Sequence, residues 1–186
     1  YGKAIDLKGE LFFYYLNLVE DLICYEQYQT VAKEFIHTVF QQIQNRIEEN
    51  FEHNEMNWLV TRGEIISSGL FSIYLNEQSV QHNFMWAEDV MHKDQTGQAD
   101  KERIKSNLSN FFEQNPNTHL TITQGFVCQN HMGLTDTFGR GGSDYTASLL
   151  GEQTNASVIQ IWSDVDGFLN NDPDFVRESL PLKNLS

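Results

Sequence analysis

The sequence has little positive charge: 12 lysine and arginine residues stand against 26 aspartate and glutamate residues, giving a formal net charge of −14. Because like charges repel, this balance disfavours a nucleic-acid backbone or an anionic membrane as the main partner. A phosphorylated small molecule remains compatible with it, since a few local donors outweigh the field of distant charges. The composition therefore predicts a small-molecule partner more readily than a nucleic acid or a membrane.

Cysteine is scarce, and long apolar runs are missing. The two cysteines, Cys24 and Cys128, form no C-x-x-C pair, so we interpret both as free thiols in a reducing compartment. The most apolar segment, residues 11–23, is interrupted by polar residues and is too short to span a bilayer. Since the sequence shows no secretory signal, we expect a cytoplasmic protein.

Several motifs of common enzyme classes are also missing. The sequence has no Walker A motif, no complete Gly-x-Gly-x-x-Gly fingerprint and no Gly-x-Ser-x-Gly elbow. The six histidines show no metal-ligand spacing with each other or with cysteine, so we expect no protein-bound metal site. These patterns disfavour a P-loop, a Rossmann dinucleotide site and a serine hydrolase.

The first two thirds of the chain are dominated by helical patterns. Apolar residues recur at helical spacing in four segments, residues 11–28, 31–47, 63–75 and 104–112. Residues 1–10 have the composition of a polar lead-in, residues 83–87 of a short strand, and residues 88–100 of a loop. The third helix is predicted to begin at Gly63, which places Glu64 in its first turn, where the helix dipole favours a carboxylate.

The later part of the chain is organised around the sequence Gly139-Arg-Gly-Gly-Ser-Asp144. An apolar run over residues 119–127 precedes this glycine loop, and a second run over residues 156–162 follows the helix behind it. The order of strand, loop, helix and strand predicts an α/β fold with helices against a mainly parallel sheet. The second strand leads into the acidic loop 163–167, and both loops are expected at one edge of the sheet, where open α/β folds bind ligands.

The residue types in the two loops suit an anionic ligand. Glycines let a ligand approach the backbone closely, and the N–H groups of a helix start favour an anion. Arg140 offers a planar fork for a carboxylate or a phosphate, Ser143 is a plausible N-cap, and Asp144 is placed to orient a lysine, a metal-bound water or a ligand amine. Carboxylates in the acidic loop suit Mg²⁺ bound through the phosphates of a nucleotide. The alternative is a glycine-rich turn with an exposed arginine.

Taken together, these loops resemble those of aspartate kinases in the amino acid kinase family. The matching segments are Thr123-Gln-Gly-Phe126, Thr137-Phe-Gly-Arg-Gly-Gly-Ser-Asp-Tyr-Thr-Ala147, Ile161-Trp-Ser-Asp-Val-Asp-Gly167, Asp172-Pro173, and Gly63-Glu64 with Ser67 and Ser68. The resemblance is strong over about residues 57–173. It implies a three-layer amino acid kinase-like fold, incomplete in this chain, with a helical part over residues 1–56 and a substrate- and nucleotide-binding part over residues 57–186.

The resemblance also implies a reaction: phosphoryl transfer from ATP, with Mg²⁺, to the side-chain carboxylate of L-aspartate. Glu64 would face the amino group of aspartate, and Asp144 would act at the reacting centre. The carboxylate of aspartate would be held by Arg140, Gly141, Gly142 and Ser143. The nucleotide would be contacted by Ser163, Asp164 and Leu169. The intact protein is expected to be a homo-oligomer.

Two positions depart from the family pattern. The family usually has an aromatic or polar ring residue where this chain has Leu169, and an arginine where it has Asp174. An acid in place of a phosphate-contacting arginine disfavours ATP, and Arg177 is the neighbouring residue that would compensate. These departures favour the alternative of a catalytically dead relative that binds an amino acid or a nucleotide. Another alternative is a kinase for a different acidic amino acid.

The family's opening Lys-Phe-Gly-Gly segment and a later lysine have no counterpart in these residues. We therefore expect the chain to be an internal piece of a kinase domain, inactive by itself, with the activity belonging to the intact polypeptide.

Overall fold

The computed structural model of the chain describes residues 2–49, 55–117, 119–162, 167, 169–171 and 175–181. The helices are α1 (Gly2–Leu22), α2 (Glu26–Glu48), α3 (Met56–Glu77), α4 (Ala87–Val90), α5 (Lys101–Gln114) and α6 (Gly142–Gln153). The strands are β1 (Asn83–Met85), β2 (Thr121–Thr123), β3 (Val127–Gln129) and β4 (Thr135–Thr137).

The first three helices enclose one hydrophobic core. Each presents apolar residues at spacings of three and four, which lie on one face of a helix and pack against its neighbours. The buried members are Val19, Ile23, Ala32, Ile36, Val39, Phe40, Ile65, Ile66 and Leu70. The predicted helix over residues 31–47 is confirmed as part of α2. The core holds α3 in place, and α3 also packs against β2 and β4.

The predicted polar lead-in over residues 1–10 is wrong, because α1 already begins at Gly2. The polar residues in this stretch are charged residues of ordinary helix propensity, and a solvent-facing helix side has the same composition as a loop. Lys8, one of these residues, donates a hydrogen bond to Gln44 of α2. Polarity therefore marked the exposed face of a helix in this segment.

Glu77 is a buried carboxylate that holds the start of α2. Its side chain, on a residue only 7% exposed, accepts hydrogen bonds from the backbone N–H groups of Cys24 at 2.8 Å and Tyr25 at 2.7 Å. Tyr25 is the N-cap residue of α2, and its own side chain makes no capping hydrogen bond. Glu77 thus supplies from α3 the negative charge that a helix N-terminus favours.

Replacing Glu77 with alanine is expected to lower the free energy of unfolding by about 3 kcal/mol, since two charge-assisted hydrogen bonds are lost and two N–H groups are left without an acceptor. Urea unfolding of the intact protein measures the change. Glu20→Ala is the matched control, because Glu20 is exposed and its ion pair with Lys33, at 2.9 Å, lies at the surface. Equal losses of stability in the two variants would contradict the capping role of Glu77.

The second core lies among the strands, α4, α5 and α6. Strand β1 pairs in parallel with β2, and β3 pairs antiparallel with β4. The buried residues that the strands and helices share are Met85, Ala87, Val90, Met91, Ile104, Leu108, Val127, Cys128 and Leu149. The helix predicted over residues 104–112 is confirmed as α5, and the helix behind the glycine loop as α6. The predicted α/β fold class is confirmed.

Strand boundaries differ from the predictions in several places. The run over residues 119–127 is interrupted after β2, because Phe126 has a φ of 69° and leaves the extended conformation. The short helix α4 covers the last residue of the predicted strand over residues 83–87 and the start of the predicted loop over residues 88–100. Strand β4, which directly precedes the glycine loop, was not predicted, since Thr135–Thr137 lacks the apolar alternation of a buried strand.

Residues 156–162 form no strand, contrary to the prediction. Their apolar side chains are exposed, to the extent of 89% for Trp162. A strand is stable only when its N–H and C=O groups meet those of a neighbour, and this segment pairs with none of the residues that the structure describes. The predicted meeting of the glycine loop with the acidic loop is untested, because residues 163–166 lie outside the described residues.

A buried arginine joins α3 to α4 and β4. Arg62 donates a hydrogen bond to Glu88 at 3.1 Å, and its guanidinium lies 4.4 Å from the centre of the Trp58 ring. Glu88 also accepts a hydrogen bond from Thr135 of β4, at 3.0 Å. Burial lowers the pKa of Arg62, while the charge of Glu88 opposes this shift. The pair fixes the N-terminal half of α3 against the strands.

The two cysteines are free, as predicted, and differ in their surroundings. Cys24 is exposed, whereas Cys128 is buried in β3. Burial raises the pKa of the Cys128 thiol to about 12, so this thiol stays protonated and poorly nucleophilic near neutral pH. Among the described helices, none combines the length and the apolar character needed to cross a membrane.

Candidate functional site

An open cleft of about 470 Å³ lies between α3 and the end of β2. Helix α3 contributes Glu64, Ser67, Ser68 and Phe71 to its wall, and residues 121–125 form the opposite side. The cleft therefore lies at the C-terminal end of a strand of the parallel pair, where α/β folds commonly bind ligands. Of the predicted site residues, Glu64 lines this cleft directly.

Glu64 lies well inside α3, which begins at Met56, so the predicted position in a first helical turn is wrong. The helix dipole no longer explains a carboxylate there, because its effect falls off within the first turn. The backbone C=O of Glu64 accepts a hydrogen bond from Ser68, but its carboxylate bonds to no residue that the structure describes. Burial raises the pKa of the Tyr15 phenol, and the charges of Tyr14 and Glu64 raise it further. A half-buried carboxylate without a partner suits a ligand amine.

The turn after β2, residues 124–126, joins the cleft to the start of α6. A Cβ atom on Gly125 would lie 2.9 Å from Ser143 Oγ and 3.1 Å from Ser143 Cα, so glycine permits this close approach. The N–H of Phe126 donates a hydrogen bond to Thr146 Oγ1 at 3.1 Å. Ser143, predicted to bind the substrate, therefore lies directly behind the cleft wall that Gly125 forms.

The glycine loop shapes the start of α6. Gly141 has a φ of 72° and is the N-cap of the helix, so the predicted N-cap at Ser143 is wrong. Gly142 is buried as the first helical residue, and its N–H donates a hydrogen bond to the C=O of Gly139 at 2.9 Å. The N–H groups of Ser143 and Asp144 have no acceptor among the residues that are described. They are free donors at the positive end of the helix dipole, which favours an anion.

Arg140 and Asp144 are the charged residues of the glycine loop, and both are exposed. Neither side chain forms a hydrogen bond or an ion pair within the described parts of the chain. In a protein with a net charge of −14, an unpaired arginine next to free N–H donors is a local anion-binding feature. The loop therefore carries a guanidinium and a carboxylate available to a ligand.

The predicted nucleotide-binding residues are placed only in part. Ser163, Asp164 and Asp174 lie outside the described residues. Leu169 is half-buried and forms an isolated bridge with Pro181, while Arg177 is exposed. No group of three potential metal ligands occurs in the described ranges. The contacts of a nucleotide thus remain a prediction from the resemblance.

Two buried polar residues at the site had no predicted role. Gln124 hydrogen bonds to both Ser68 and Ala87, and Thr146 accepts from Phe126 and donates to the C=O of Gly142. Gln124 falls in a segment that carries the family resemblance, but nothing local marks it as buried. Its burial depends on where α3 and α4 pack, which is tertiary information.

The sequence profile described as the amino acid kinase family matches residues 24–186. Lysine-sensitive aspartokinase 3 of Escherichia coli is 40% identical over 131 residues, covering 69% of this chain and 29% of the relative. The bifunctional aspartokinase/homoserine dehydrogenase 2 of the same organism is 34% identical over 131 residues, covering 68% of this chain and 16% of the relative. The chain thus matches less than a third of either protein's length.

Among solved structures, E. coli aspartokinase III in complex with aspartate and ADP superposes with a TM-score of 0.81 at 30% identity, covering 97% of this chain and 40% of that chain. The aspartate kinase of Clostridium acetobutylicum superposes with a TM-score of 0.60 at 23% identity, which shows the fold alone. The profile match begins at residue 24, so the similarity includes α2, beyond the predicted range of residues 57–173.

Proposed function

The chain belongs to the amino acid kinase family, and we propose that it supplies the amino-acid-binding part of an aspartate kinase. Its structural neighbours are aspartokinases, and it has part of the amino acid kinase fold. The observation that carries the proposal is the half-buried, unpartnered carboxylate of Glu64 in a cleft whose wall touches Ser143. A relative solved with aspartate and ADP supports the same ligands for the intact protein.

Recognition of the substrate follows from its charges. The α-amino group of aspartate is a cation, and Glu64 offers it a carboxylate that no described residue neutralises. The α-carboxylate is an anion, and the N–H groups of Ser143 and Asp144 offer free donors, with Arg140 three residues before Ser143. A zwitterionic backbone therefore binds with its amine toward α3 and its carboxylate toward α6, which leaves the side-chain carboxylate to react.

In the proposed reaction, an oxygen of the side-chain carboxylate attacks the γ-phosphorus of ATP. A new oxygen–phosphorus bond forms, the bond to the bridging oxygen breaks, and ADP leaves. Little covalent chemistry falls to the protein, so its residues act by positioning the carboxylate and balancing charge. Mg²⁺ carried on the nucleotide would neutralise charge on the phosphates. Asp144, at the start of α6, is the residue proposed to organise the reacting centre, and Ser163, Asp164 and Leu169 those proposed to contact ATP.

The test uses the intact protein, Mg-ATP and hydroxylamine, which traps an acyl phosphate as a coloured hydroxamate. L-aspartate, L-glutamate and N-acetylglutamate are compared as acceptors. We expect much more hydroxamate to form with aspartate than with either of the other two acceptors. Product chiefly with another acceptor would assign the site to a different acidic amino acid. Calorimetric binding of aspartate with no trapped product would assign it to a binding module, the alternative that Asp174 and Leu169 favour. Cytoplasmic location and homo-oligomeric assembly remain predictions.

A further inference from the structure

Gln124 is the residue that ties the cleft to the rest of the fold. It is only 1% exposed, and both ends of its amide are used. Its Oε1 accepts from the N–H of Ala87 at 2.9 Å, and its Nε2 donates to Ser68 Oγ at 2.7 Å. A buried amide bonded at both ends fixes the position of the groups it contacts, because leaving either end unbonded is costly.

A second hydrogen bond connects Ser68 to Glu64. Ser68 Oγ donates to the C=O of Glu64 at 2.7 Å, one helical turn earlier in α3. The Ser68 hydroxyl has one proton, and the C=O of Glu64 is a closer acceptor for it than the C=O of Ile65, at 3.3 Å. The hydroxyl oxygen accepts a hydrogen bond from the Gln124 amide. The chain of bonds therefore has a single direction, from Gln124 through Ser68 to the turn of helix that carries the Glu64 carboxylate.

The residues directly after Gln124 contact helix α6. Gly125 lies against Ser143, and the N–H of Phe126 donates to Thr146 in the first turns of α6. The turn of residues 124–126 is thus bonded to α3 at its first residue and to α6 at its last. Since Glu64 lies on one helix and Ser143 on the other, this turn sets the separation between them.

We infer that Gln124 is a positioning residue for the substrate: it sets the distance between the group that binds the amine and the groups that bind the carboxylate. This inference rests on the proposed function. An amino acid has a fixed separation between its charged ends, and a small error in that separation weakens binding. Among the described residues, the Gln124 side chain hydrogen bonds to Ala87 and Ser68, and neither is proposed to contact ATP, so its loss is expected to weaken amino-acid binding selectively.

The inference is tested by calorimetry on the intact protein, with L-aspartate and ATP titrated separately. Gln124→Met keeps the length of the side chain and removes both hydrogen bonds. It is expected to weaken aspartate binding about tenfold, the effect of losing one or two buried hydrogen bonds, and to leave ATP affinity unchanged. In steady-state assays of Gln124→Met, the KM for aspartate is expected to rise by a similar factor, while kcat changes less. Gln124→Leu, which also removes both hydrogen bonds and adds no charge, is expected to give the same result and serves if Gln124→Met does not fold.

A second variant separates positioning from direct contact. Ser68 lines the cleft, so Ser68→Ala alone lowers aspartate affinity whether Ser68 acts through Gln124 or on the ligand. In the Gln124→Met background, Ser68→Ala is expected to add nothing, because the link is already broken. A further independent loss would mean that Ser68 binds the ligand itself, and would overturn the proposed link.

Glu77→Ala is the control for general loss of stability, since Glu77 is also buried but bonds to the start of α2. The two variants are compared under conditions where they are equally stable. If Gln124→Met then loses aspartate affinity and ATP affinity together, and by as much as Glu77→Ala does, the positioning role is overturned. Unchanged aspartate affinity in Gln124→Met would overturn it as well. A wild-type protein that binds no aspartate would overturn the proposed function and this inference with it.

Discussion

Glu64→Gln is expected to raise the KM for L-aspartate by roughly a hundredfold, because an ion pair with the α-amino group is replaced by a neutral contact in a half-buried cleft. The change removes charge but keeps the size and most of the shape of the side chain. The KM for ATP should change little, since Glu64 lines the cleft between α3 and β2 and belongs to the amino-acid side of the proposed site. Initial rates at varied aspartate and saturating Mg-ATP measure the effect.

Succinate makes this experiment specific to the amine. It is aspartate without the amino group, so it has nothing to pair with Glu64. The wild type should prefer aspartate over succinate strongly in kcat/KM, and Glu64→Gln should narrow that preference by about the same hundredfold. A preference that stays unchanged in the variant would show that Glu64 does not bind the amine, even if the overall rate falls.

Stability distinguishes this variant from Glu77→Ala. The Glu64 carboxylate bonds to no described residue, so Glu64→Gln should leave the free energy of unfolding almost unchanged. Glu34→Gln is the matched control for the chemical change, since Glu34 is exposed on α2 and distant in sequence from the cleft. It should alter neither stability nor the KM for aspartate.

Local patterns in the sequence predicted at least part of every described helix except α4, because the causes of those helices are local. The apolar spacing that identified α2 and α5 is the same spacing that buries their faces, and the glycine loop before α6 was visible as three glycines in four residues. The start of α3 was misplaced at Gly63 because glycine suggests a boundary, yet nothing in the helix requires one there. A single glycine costs only about 1 kcal/mol in a helix, which packing readily offsets.

Strands and the site were less predictable because their causes are distant in sequence. Residues 156–162 have strand composition, but a strand forms only where a neighbour meets its backbone groups. Thr135–Thr137 lacks apolar side chains and is a strand because Val127–Gln129 pairs with it. The position of Glu64 in the cleft was expected only from family resemblance, and the burial of Gln124 depends on three elements packing together.

Gly125→Ala is expected to weaken aspartate binding by about tenfold to a hundredfold and to lower stability by about 1–3 kcal/mol. The backbone of Gly125 does not lie in the left-handed region, so alanine is compatible with its dihedral angles. The added Cβ, however, would lie 2.9 Å from Ser143 Oγ, 3.0 Å from Ser143 Cβ and 3.1 Å from Ser143 Cα. Because Cα is a backbone atom, the start of α6 must move, and the free N–H donors move with it relative to Glu64.

Gly9→Ala is the control for adding a methyl group. Gly9 lies inside α1, where a Cβ would meet nothing within 4 Å, so alanine should stabilise the helix by about 0.5–1 kcal/mol and leave aspartate affinity unchanged. Calorimetry with aspartate and urea unfolding provide the two measurements. If the Gly125→Ala variant bound aspartate as tightly as the wild type, the contact between the 124–126 turn and α6 would have no role in aspartate binding.

A double variant tests whether the contact between residue 125 and Ser143 causes both losses. Ser143→Gly removes the Oγ and Cβ atoms that the new methyl group would meet but keeps the Cα atom at 3.1 Å, so adding it to Gly125→Ala should recover only part of the lost stability. Aspartate affinity should recover in the same proportion as stability, because the donors proposed for the carboxylate are backbone N–H groups, which Ser143→Gly keeps. Recovery of stability with no recovery of affinity would contradict this expectation and would assign aspartate binding to the Ser143 side chain.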